Sequence, residues 1–553
     1  MAPLSGMNSH DNDVVVFLFD RKNAACMRPN VSCETIRYRS LKIEPDFYFA
    51  TAVPSGTARA MSLLTTHNIR HALVMTLVLC VAVFAPEDAM ADSDSSTKLV
   101  SQQNAEDVDH NDGHKSKREL LTVKLNSGPS NSSALFPWVT DDKNWLQRHG
   151  LLVVFDNINE FMGAITKPTP GIPNLRQGSS NAGQYAVSVT TDWSRLAGIK
   201  GLGSRFVVVG RYGTPANRMF GDWLAHSSET YGGGGNVVVR FVMGYFEEHL
   251  LQDRLSIAAG RMAQLSDFAT STMFCNFVNN SFCGRPRAAG DSAYATTWPV
   301  SVWATRVRVR PVSGVYIQAG VYFTEDGLYG VQQNRSGWTL NGANIAGQVF
   351  PIETGWEPSF GSHKRLTGHY KIGVSIENVR RYRPYATQQS AELGAGTFSA
   401  GGRRGAWSVW MLADQRIIAF RGRDEKAGVS VMAGALVNDP TISLRQQQYY
   451  GGLVTRGFWR WRPADSIGVA ASWTKIAEGV QRAEERFLQT GQSLPFNATG
   501  IQRNAFVFEA YYTFRVGRAV TIQPDFQYYL HPNGQQNLRD AAMLGFRSHV
   551  EIF

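Results

Sequence analysis

Three arginines alternate along one short stretch of the chain, at Arg306, Arg308 and Arg310. Successive side chains of a β-strand point to opposite faces, so the three guanidinium groups would share one face while Trp303 and Val307 take the other. A row of guanidinium groups offers many hydrogen-bond donors, which suits the hydroxyls of a polyol or an anion. We expect Arg306 and Arg308 to form the centre of a solute-binding face. The alternative is a salt-bridge network that only supports the fold.

Further charged residues fall on the polar parity of other alternating segments. They are Arg211, Arg240, Asp192, Glu377, Glu509 and Asp525. Together with the arginine row they could line a water-filled interior with alternating charges. For any single one of them, the alternative is an internal ion pair that maintains the shape of the fold.

Motifs of known enzyme sites are missing from the sequence. It contains no H-E-x-x-H and no G-x-S-x-G at a strand-to-helix turn, and Gly201-Leu202-Gly203 lacks the third glycine of a dinucleotide site. The sequence therefore predicts no catalytic residue, no cofactor and no metal site. The basic residues are scattered along predicted strands without a basic helix, which argues against nucleic-acid binding.

The elements that carry these residues are predicted to be long β-strands. From Val520 to Leu530 every second residue is apolar or aromatic, and the residues between them are polar apart from Tyr529. Strands of soluble sandwiches usually span about five or six residues, whereas a strand that crosses a membrane needs roughly nine to eleven. Charged residues make up 18% of the chain and the mean hydropathy is −0.22, without several apolar runs of helix length. These features favour a transmembrane antiparallel β-barrel of about sixteen strands, because such a barrel hides its polar side chains in the lumen.

The predicted strands begin at Leu151 and follow one another to the end of the sequence. The alternation predicts strands at 151–165, 185–193, 205–213, 237–245, 255–263, 299–310, 315–324, 349–356, 367–377, 406–412, 417–422, 429–437, 451–462 and 466–476, and three more between 505 and 553. A short helix is expected at 142–148, capped by Thr140 or Asp141 and ended by Gly150. Trp193, Tyr245, Trp298 and Tyr528 lie near strand ends and are expected to form an interfacial aromatic girdle.

The N-terminal part of the chain predicts export. The apolar run from Ala72 to Phe84 follows basic residues and precedes Ala89-Met90-Ala91, which is the pattern of a secretory signal peptide at 61–91 cut before Asp92. Residues 1–60 would then be a disordered, over-extended start, and 92–133, rich in small polar residues, a flexible periplasmic tail. Up to Ala91 the chain carries eight basic and eight acidic residues, so the whole net charge of +10 belongs to the exported part.

Two cysteines remain in the exported part, Cys275 and Cys283. They lie eight positions apart in a polar stretch, Ser266 to Ala293, that is either an inward-folded loop or a plain extracellular loop. An even pair in an oxidising compartment predicts a disulfide, and the absence of further ligands at short spacing argues against zinc.

Two blocks of the sequence carry family motifs. The first runs from Gly244 to Pro286 and includes Gly260-Arg261-Met262, Asp267-Phe268 and Phe274-Cys275-Asn276-Phe277-Val278-Asn279-Asn280-Ser281-Phe282-Cys283. The second includes Glu509-Ala510-Tyr511-Tyr512, Gln523-Pro524-Asp525-Phe526-Gln527-Tyr528 and His531-Pro532-Asn533-Gly534. Over residues 134–553 the chain resembles the carbohydrate-selective porin family of the OprB type. The resemblance implies a sixteen-stranded, water-filled barrel in the outer membrane of a Gram-negative bacterium.

The resemblance implies passive diffusion of monosaccharides such as glucose into the periplasm. A general-diffusion or anion-preferring porin is the first alternative, because the net charge is basic, and a barrel enzyme or adhesin is the second. The expected partners are sugars, outer-membrane lipid and lipopolysaccharide, and the barrel-assembly machinery, with a monomer or homotrimer as assembly. The chain departs from the pattern at Phe553, which has the parity of the polar residues Glu551 and His549. An early strand end or a bulge would account for it.

Overall fold

The computed structural model describes most of the chain from residue 135 onward, with short gaps. The described residues are 40–43, 47–50, 135–230, 237–271, 273–283, 285–291, 295–325, 336–361, 364–380, 404–494, 498–517 and 519–553. The chain divides into two compact units, Met1–Thr76 and Leu77–Phe553. In the first unit, Ser40–Ile43 pairs with Phe47–Ala50 as an antiparallel hairpin, which the prediction of a disordered segment did not include. The predicted signal peptide and periplasmic tail lie outside the described residues.

The second unit is a closed antiparallel barrel. Its long strands among the described residues number sixteen: β1 Leu151–Ala164, β2 Ser179–Asp192, β3 Leu202–Gly213, β4 Val237–Leu250, β5 Leu255–Met262, β6 Val302–Val312, β7 Val315–Glu325, β8 Ile345–Trp356, β9 Leu366–Glu377, β10 Trp407–Ala419, β11 Gly428–Asn438, β12 Arg445–Arg456, β13 Ser466–Ile476, β14 Asn504–Val516, β15 Val520–Leu530 and β16 Ala541–Glu551. Each strand pairs with the next, and β16 pairs with β1 from Met543↔Ala164 to Glu551↔Asp156. A two-residue strand, Ser359–Phe360, pairs with the start of β9. The predicted fold class is confirmed.

Alternation along each strand separates an apolar outer face from a polar inner face. On β6, Trp303, Val307 and Val309 are exposed while Arg306 is buried. The same holds on β15, where Asp525 and Gln527 are buried and Leu530 is exposed. Exposed apolar side chains suit lipid contact, and burying the polar set inside satisfies the polarity pattern of a transmembrane barrel. Within the described residues, no helix is long and apolar enough to cross a membrane.

The two ends of the barrel differ in their connections. Short turns join β4 to β5, β6 to β7 and β14 to β15, and we call this side of the barrel the short-turn end. Strand β1 begins and strand β16 ends on the same side. The opposite side, the long-loop end, carries the connections 214–236, 263–301 and 477–503. This asymmetry is typical of single-chain bacterial barrels.

Four α-helices lie outside the strands in the described residues: α1 Thr140–Arg148, α2 Trp193–Leu196, α3 Gln264–Asp267 and α4 Glu478–Gln489. Helix α1 matches the predicted helix, but its N-cap is Val139, without a side-chain cap, rather than Thr140 or Asp141. Lys143 of α1 forms a 2.6 Å ion pair with Glu551 of β16, which fixes the helix on the barrel. Helix α4 was not predicted from the sequence.

One prediction of strand number was wrong. The segments 406–412 and 417–422 were expected to be separate strands, but they form the single strand β10. The alternation breaks there because the pairing with β11 shifts between Arg416 and Ile418. A bulge of this kind resets which residues face inward, so a pattern of period two stops and restarts within one strand.

The pairing of Phe553 with β1 is irregular. Regular pairing of β16 ends at Glu551, and the Phe155 carbonyl then accepts hydrogen bonds from the amides of both Ile552 (2.7 Å) and Phe553 (3.0 Å). Two residues of one strand oppose one of its partner, which is the pattern of a β-bulge. The bulge shifts the alternation by one residue and thereby accounts for the parity of Phe553.

Candidate functional site

The described residues of the connection between β5 and β6, 263–271, 273–283, 285–291 and 295–301, fold into the barrel, and we call this segment the inward loop. Its aromatic side chains Phe268, Phe274, Phe277, Phe282 and Trp298 are fully buried. The four phenylalanines belong to one hydrophobic cluster. The loop contacts strands β8, β10, β14 and β15, of which β14 and β15 lie on the opposite side of the barrel from β5 and β6. An inward-folded loop was the first of the two alternatives that the sequence left open for this segment.

Carboxylates of the barrel wall bind the first half of the inward loop. Glu353 on β8 accepts the amide of Ala269 at 2.9 Å, and Asp414 on β10 accepts the hydroxyl of Ser271 at 2.6 Å. Hydrogen bonds to an ionised acceptor are roughly twice as strong as neutral ones and are little screened when buried. These acids therefore hold the loop across the lumen.

The middle of the inward loop is held by β14. The two carboxylate oxygens of Glu509 accept the amides of Val278 (2.6 Å) and Asn279 (2.9 Å). The Asn279 side chain also donates to Gln527 and Tyr529 on β15. Glu509 was predicted to line the pore, but the structure places it beneath the loop as an anchor.

The second half of the inward loop is attached to β11 and β12. Gln448 accepts the amide of Ala288 at 2.8 Å, and Asn438 donates to the Ala288 carbonyl at 2.8 Å. Arg445 forms an ion pair with Asp291 at 2.6 Å. The loop is thus fixed to the wall along its length and reduces the cross-section of the barrel.

A second connection, residues 214–236, also folds inward in its described part, 214–230. The amide and the hydroxyl of Thr230 both donate to Glu160 on β1 at 2.9 Å. His226 and Asn280 exchange hydrogen bonds, with the His226 amide donating to the Asn280 side chain at 2.8 Å. The two inward segments therefore pack against each other inside the barrel.

The predicted disulfide is not present in the structure. Cys275 and Cys283 are free thiols, and both are buried within the inward loop. Cys275 lies close enough to act electrostatically on the Cys283 thiol. The Cys275 carbonyl also accepts a hydrogen bond from Arg547 at 2.9 Å, so the pair lies against β16.

The three arginines of β6 face the interior but have different surroundings. Arg306 is buried and forms ion pairs with Asp267 of α3 and Glu247 of β4. Arg310 is partly exposed and forms a 2.8 Å ion pair with Glu357. Arg306 is therefore a structural link at the root of the inward loop, rather than a group that is open to a solute.

Arg308 is the member of the row that remains open to solute. It is partly exposed, its Nε and Nη2 both donate to Gln318 Oε1 at 2.9 and 2.7 Å, and its Nη1 has no hydrogen-bond partner among the described residues. The guanidinium groups of Arg308 and Arg310 lie 5.2 and 5.5 Å from the ring centroid of Tyr316, within cation–π range. The buried Tyr316 hydroxyl donates to Glu353 at 2.8 Å, which fixes the ring under both groups.

These groups meet the inward loop at one edge, which we call the rim cluster: Arg308, Arg310, Tyr316, Gln318 and Lys371. Gln318 donates to the Asp267 carbonyl at 2.9 Å, and Lys371 of β9 donates to the Thr270 carbonyl at 3.0 Å. The rim cluster thus joins wall and loop, and its cationic members are partly exposed. Such an edge can donate several hydrogen bonds to a passing hydroxylated or anionic solute.

The other predicted lining residues do not join the rim cluster. Arg211 donates to the Glu229 carbonyl at 3.3 Å and Arg240 donates to the Pro299 carbonyl at 3.0 Å, so both support the inward segments. Asp192 caps α2 through the Ser194 amide at the short-turn end. Glu377 is buried at the opposite end, where β9 finishes. Asp525 is buried beside Glu509 and accepts from Gln527 at 3.0 Å.

Sequence reasoning missed several residues of this site. Glu353, Asp414, Glu160 and Lys371 were not singled out, although each occupies the polar parity of its strand. Two predicted girdle aromatics also lie elsewhere. Trp298 is buried in the inward loop and donates to Gln184 at 3.1 Å, and Tyr245 packs against the buried cluster. Their positions near strand ends did not reveal that the adjoining connection turns inward.

A closed sixteen-stranded barrel with polar side chains inside, apolar side chains outside and a loop folded across the lumen defines a porin-type channel. Residues 176–552 match the family model described as carbohydrate-selective porin, OprB family, so the chain belongs to this family.

Two curated relatives are similar over most of their length. Porin B of Pseudomonas aeruginosa is 25% identical over 380 residues, which cover 66% of this chain and 80% of the relative. The putative porin QuiX of Acinetobacter baylyi is 24% identical over 385 residues, covering 67% of this chain and 83% of the relative. Among solved structures, the high-pH structure of Pseudomonas putida OprB superposes with a TM-score of 0.65 at 22% identity, covering 74% of this chain and 96% of that chain. This likeness supports the barrel fold.

Proposed function

We propose that the chain forms an outer-membrane channel through which monosaccharides such as glucose diffuse passively into the periplasm. The observation that carries the proposal is the rim cluster, in which Arg308 and Arg310 are held on Tyr316 at the edge of a loop pinned across the lumen. Family membership supports a carbohydrate as the solute.

The chemistry of the rim cluster fits a neutral polyol. Each sugar hydroxyl is both a donor and an acceptor, so a wall of oriented donors replaces part of its hydration shell. Arg308 has one open nitrogen, and the partly exposed Glu357 beside Arg310 supplies an acceptor. A pathway with both donors and acceptors favours hydroxyls over solutes that only accept.

An anion-preferring channel is the second candidate. The observation in its favour is that Arg308, Arg310 and Lys371 place three cations at one edge, where Glu357 is the acid that pairs with Arg310 among the described residues. A cluster of one sign attracts counter-ions and raises their local concentration.

Ion currents through the purified protein in a planar bilayer separate the two. For a sugar pathway, millimolar glucose lowers the current reversibly, and a sugar alcohol of similar size that lacks the ring has a weaker effect. If glucose leaves the current unchanged and the reversal potential in a salt gradient shows anion selectivity, the sugar proposal is contradicted and the anion-preferring channel is supported. Fractionation of cells that express the chain tests the membrane assignment.

A further inference from the structure

Two neighbouring turns at the short-turn end, 420–427 and 457–465, pack against each other. Arg423 of the first turn donates to the Phe458 carbonyl of the second at 2.6 Å, and its guanidinium lies 4.8 Å from the centroid of the Phe420 ring. The rings of Phe420 and Phe458 also meet, with their centroids 6.5 Å apart. The two turns therefore form one continuous surface, which we call the turn patch.

The second turn exposes a row of aromatic rings. Phe458, Trp459 and Trp461 are 48%, 41% and 75% exposed. The ring centroids of Phe458 and Trp459 are 4.8 Å apart, and those of Trp459 and Trp461 are 6.2 Å apart. Tryptophan prefers the boundary between lipid headgroups and acyl chains, because its ring is apolar while its N–H can still reach a polar partner. These rings are placed to be covered by lipid.

The aromatic side of the turn patch continues the outer wall of the barrel. Ile418, two residues before Phe420, is exposed near the end of β10. Leu453 and Val469, a cross-strand pair of β12 and β13 beside the second turn, are exposed and apolar as well. Since the polar side chains of these strands fill the lumen, the exposed apolar positions mark the lipid side. The turn patch therefore lies where the outer wall meets the headgroup layer at the short-turn end.

Basic side chains outnumber acidic ones on the turn patch. The two turns carry three acidic residues and five basic ones, Arg421, Arg423, Lys426, Arg460 and Arg462. One of the acids, Asp465, already accepts from Arg462 and from Tyr512, each at 2.6 Å. Arg421 and Arg460 are exposed and form no ion pair with a described residue. Both guanidinium groups can therefore receive an external anion without breaking an existing ion pair.

We propose that the turn patch binds an anionic phospholipid of the leaflet at the short-turn end, with the phosphodiester on the arginines and the acyl chains against the aromatic rings. Guanidinium groups match the geometry of phosphate oxygens, and basic clusters at a membrane surface attract anionic lipid. A soluble phosphate ester would engage the arginines and leave the rings uncovered. The proposal rests on the membrane placement of the proposed function and not on its solute, because no residue of the turn patch belongs to the rim cluster.

Native mass spectrometry of the detergent-solubilised full chain tests the proposal by counting bound lipids. The protein is titrated with equal amounts of phosphatidylglycerol, which is anionic, and phosphatidylethanolamine, which is zwitterionic, with the same acyl chains. We expect preferential retention of phosphatidylglycerol at low salt and a smaller preference at high salt, since salt screens exposed charges. Equal retention of the two lipids at low salt would overturn the proposal.

Variants locate the lipid on the turn patch. Arg421→Gln combined with Arg460→Gln should weaken the binding of phosphatidylglycerol by about tenfold, which is 1.4 kcal/mol, and leave phosphatidylethanolamine unaffected. Trp461→Ala should weaken the binding of both lipids, because the ring covers acyl chains. Arg482→Gln combined with Arg486→Gln removes two exposed charges from α4 at the long-loop end and should bind lipid as the parent does. An unchanged preference in the Arg421 and Arg460 double variant would contradict the proposal.

Competition on the unchanged protein separates a lipid from a soluble phosphate ester. Glycerol phosphate, which has the anionic headgroup chemistry without acyl chains, should not displace phosphatidylglycerol at equal concentration. Displacement would overturn the lipid assignment. Retention of phosphatidylethanolamine by the parent shows that the barrel takes up lipid, so failure of this site is distinguishable from failure of the membrane placement. Reversible block of the ion current by glucose, measured on the same preparation, tests the sugar pathway separately.

Discussion

The Glu509 carboxylate on β14 accepts the backbone amide of Val278 at 2.6 Å, and this bond joins the far wall of the barrel to the middle of the inward loop. The residues are 231 positions apart in sequence. Since the same carboxylate also accepts the Asn279 amide, one side chain satisfies two buried donors that would otherwise have no partner.

Replacing Glu509 should loosen the loop without opening the barrel. Glu509→Ala leaves two buried amides unsatisfied, at a cost of about 1–3 kcal/mol each. We expect faster hydrogen exchange at residues 274–282 and a larger, noisier single-channel current. Glu485→Ala, at an exposed position of α4, is the control. Unchanged exchange in this segment would show that the loop is held by other contacts.

Loss of the Arg306 side chain should lower the stability of the barrel. Arg306 is buried between Asp267 and Glu247, so Arg306→Ala leaves two acids without their cation and should lower the free energy of unfolding by about 3–5 kcal/mol. Urea titration of the protein in lipid vesicles, followed by tryptophan fluorescence, measures this loss. An Arg306→Ala protein as stable as the parent would contradict the structural role assigned here.

The stability of α4 should fall as the pH rises. Glu484 is buried against the Gln502 amide (2.8 Å), and burial raises its pKa from about 4.5 to about 8. The folded state therefore holds its proton more tightly than the unfolded state does, so this contribution to stability is present below about pH 4.5 and is lost as the pH rises toward about 8.

Hydrogen exchange of residues 478–489, corrected for intrinsic rates, measures this dependence. Glu484→Gln should remove it, because the amide keeps the shape of the side chain and does not ionise. The neighbouring Glu485→Gln, at an exposed position, should leave it in place. A pH profile of the parent that is flat across this window would contradict the assignment.

The two cysteines should behave as protected thiols. In the folded protein both are buried, so a maleimide should not react with either. After unfolding without reductant it should add twice to the exported part, residues 92–553, which contains only these two of the five cysteines of the sequence. Intact mass spectrometry counts the additions. No addition after unfolding, with two additions once reductant is present, would mean that the pair is oxidised in the isolated protein.

Alternation along the strands was sufficient to predict the barrel and the inward face of β6. Lumen and lipid impose opposite preferences on neighbouring residues, so Arg306, Arg308 and Arg310 were correctly grouped on one side. The pattern failed where geometry departs from period two, as at the shift between Arg416 and Ile418 that made β10 look like two strands.

The sequence could not predict which inward-facing side chains hold the inward loop and which remain exposed in the lumen. Alternation tells which side chains face inward, but not which of them lie under a loop. Glu509 and Arg308 both lie on the polar parity of their strands. Glu509 is nevertheless covered by the inward loop, whereas Arg308 is partly exposed. Contacts such as Glu353 with Ala269 join residues 84 positions apart and depend on the path of the loop. A loop has no periodic sequence pattern from which its path could be predicted.

The most direct test of the sugar pathway is the block of ion current by glucose in planar bilayers, measured for the parent and for Arg308→Ala. We expect millimolar glucose to lower the parent current and to block Arg308→Ala by about tenfold less at the same concentration, corresponding to 1.4 kcal/mol of binding free energy. Arg482→Ala, on α4, should be blocked as the parent is. Equal block of Arg308→Ala and the parent would contradict the claim that the rim cluster recognises the sugar.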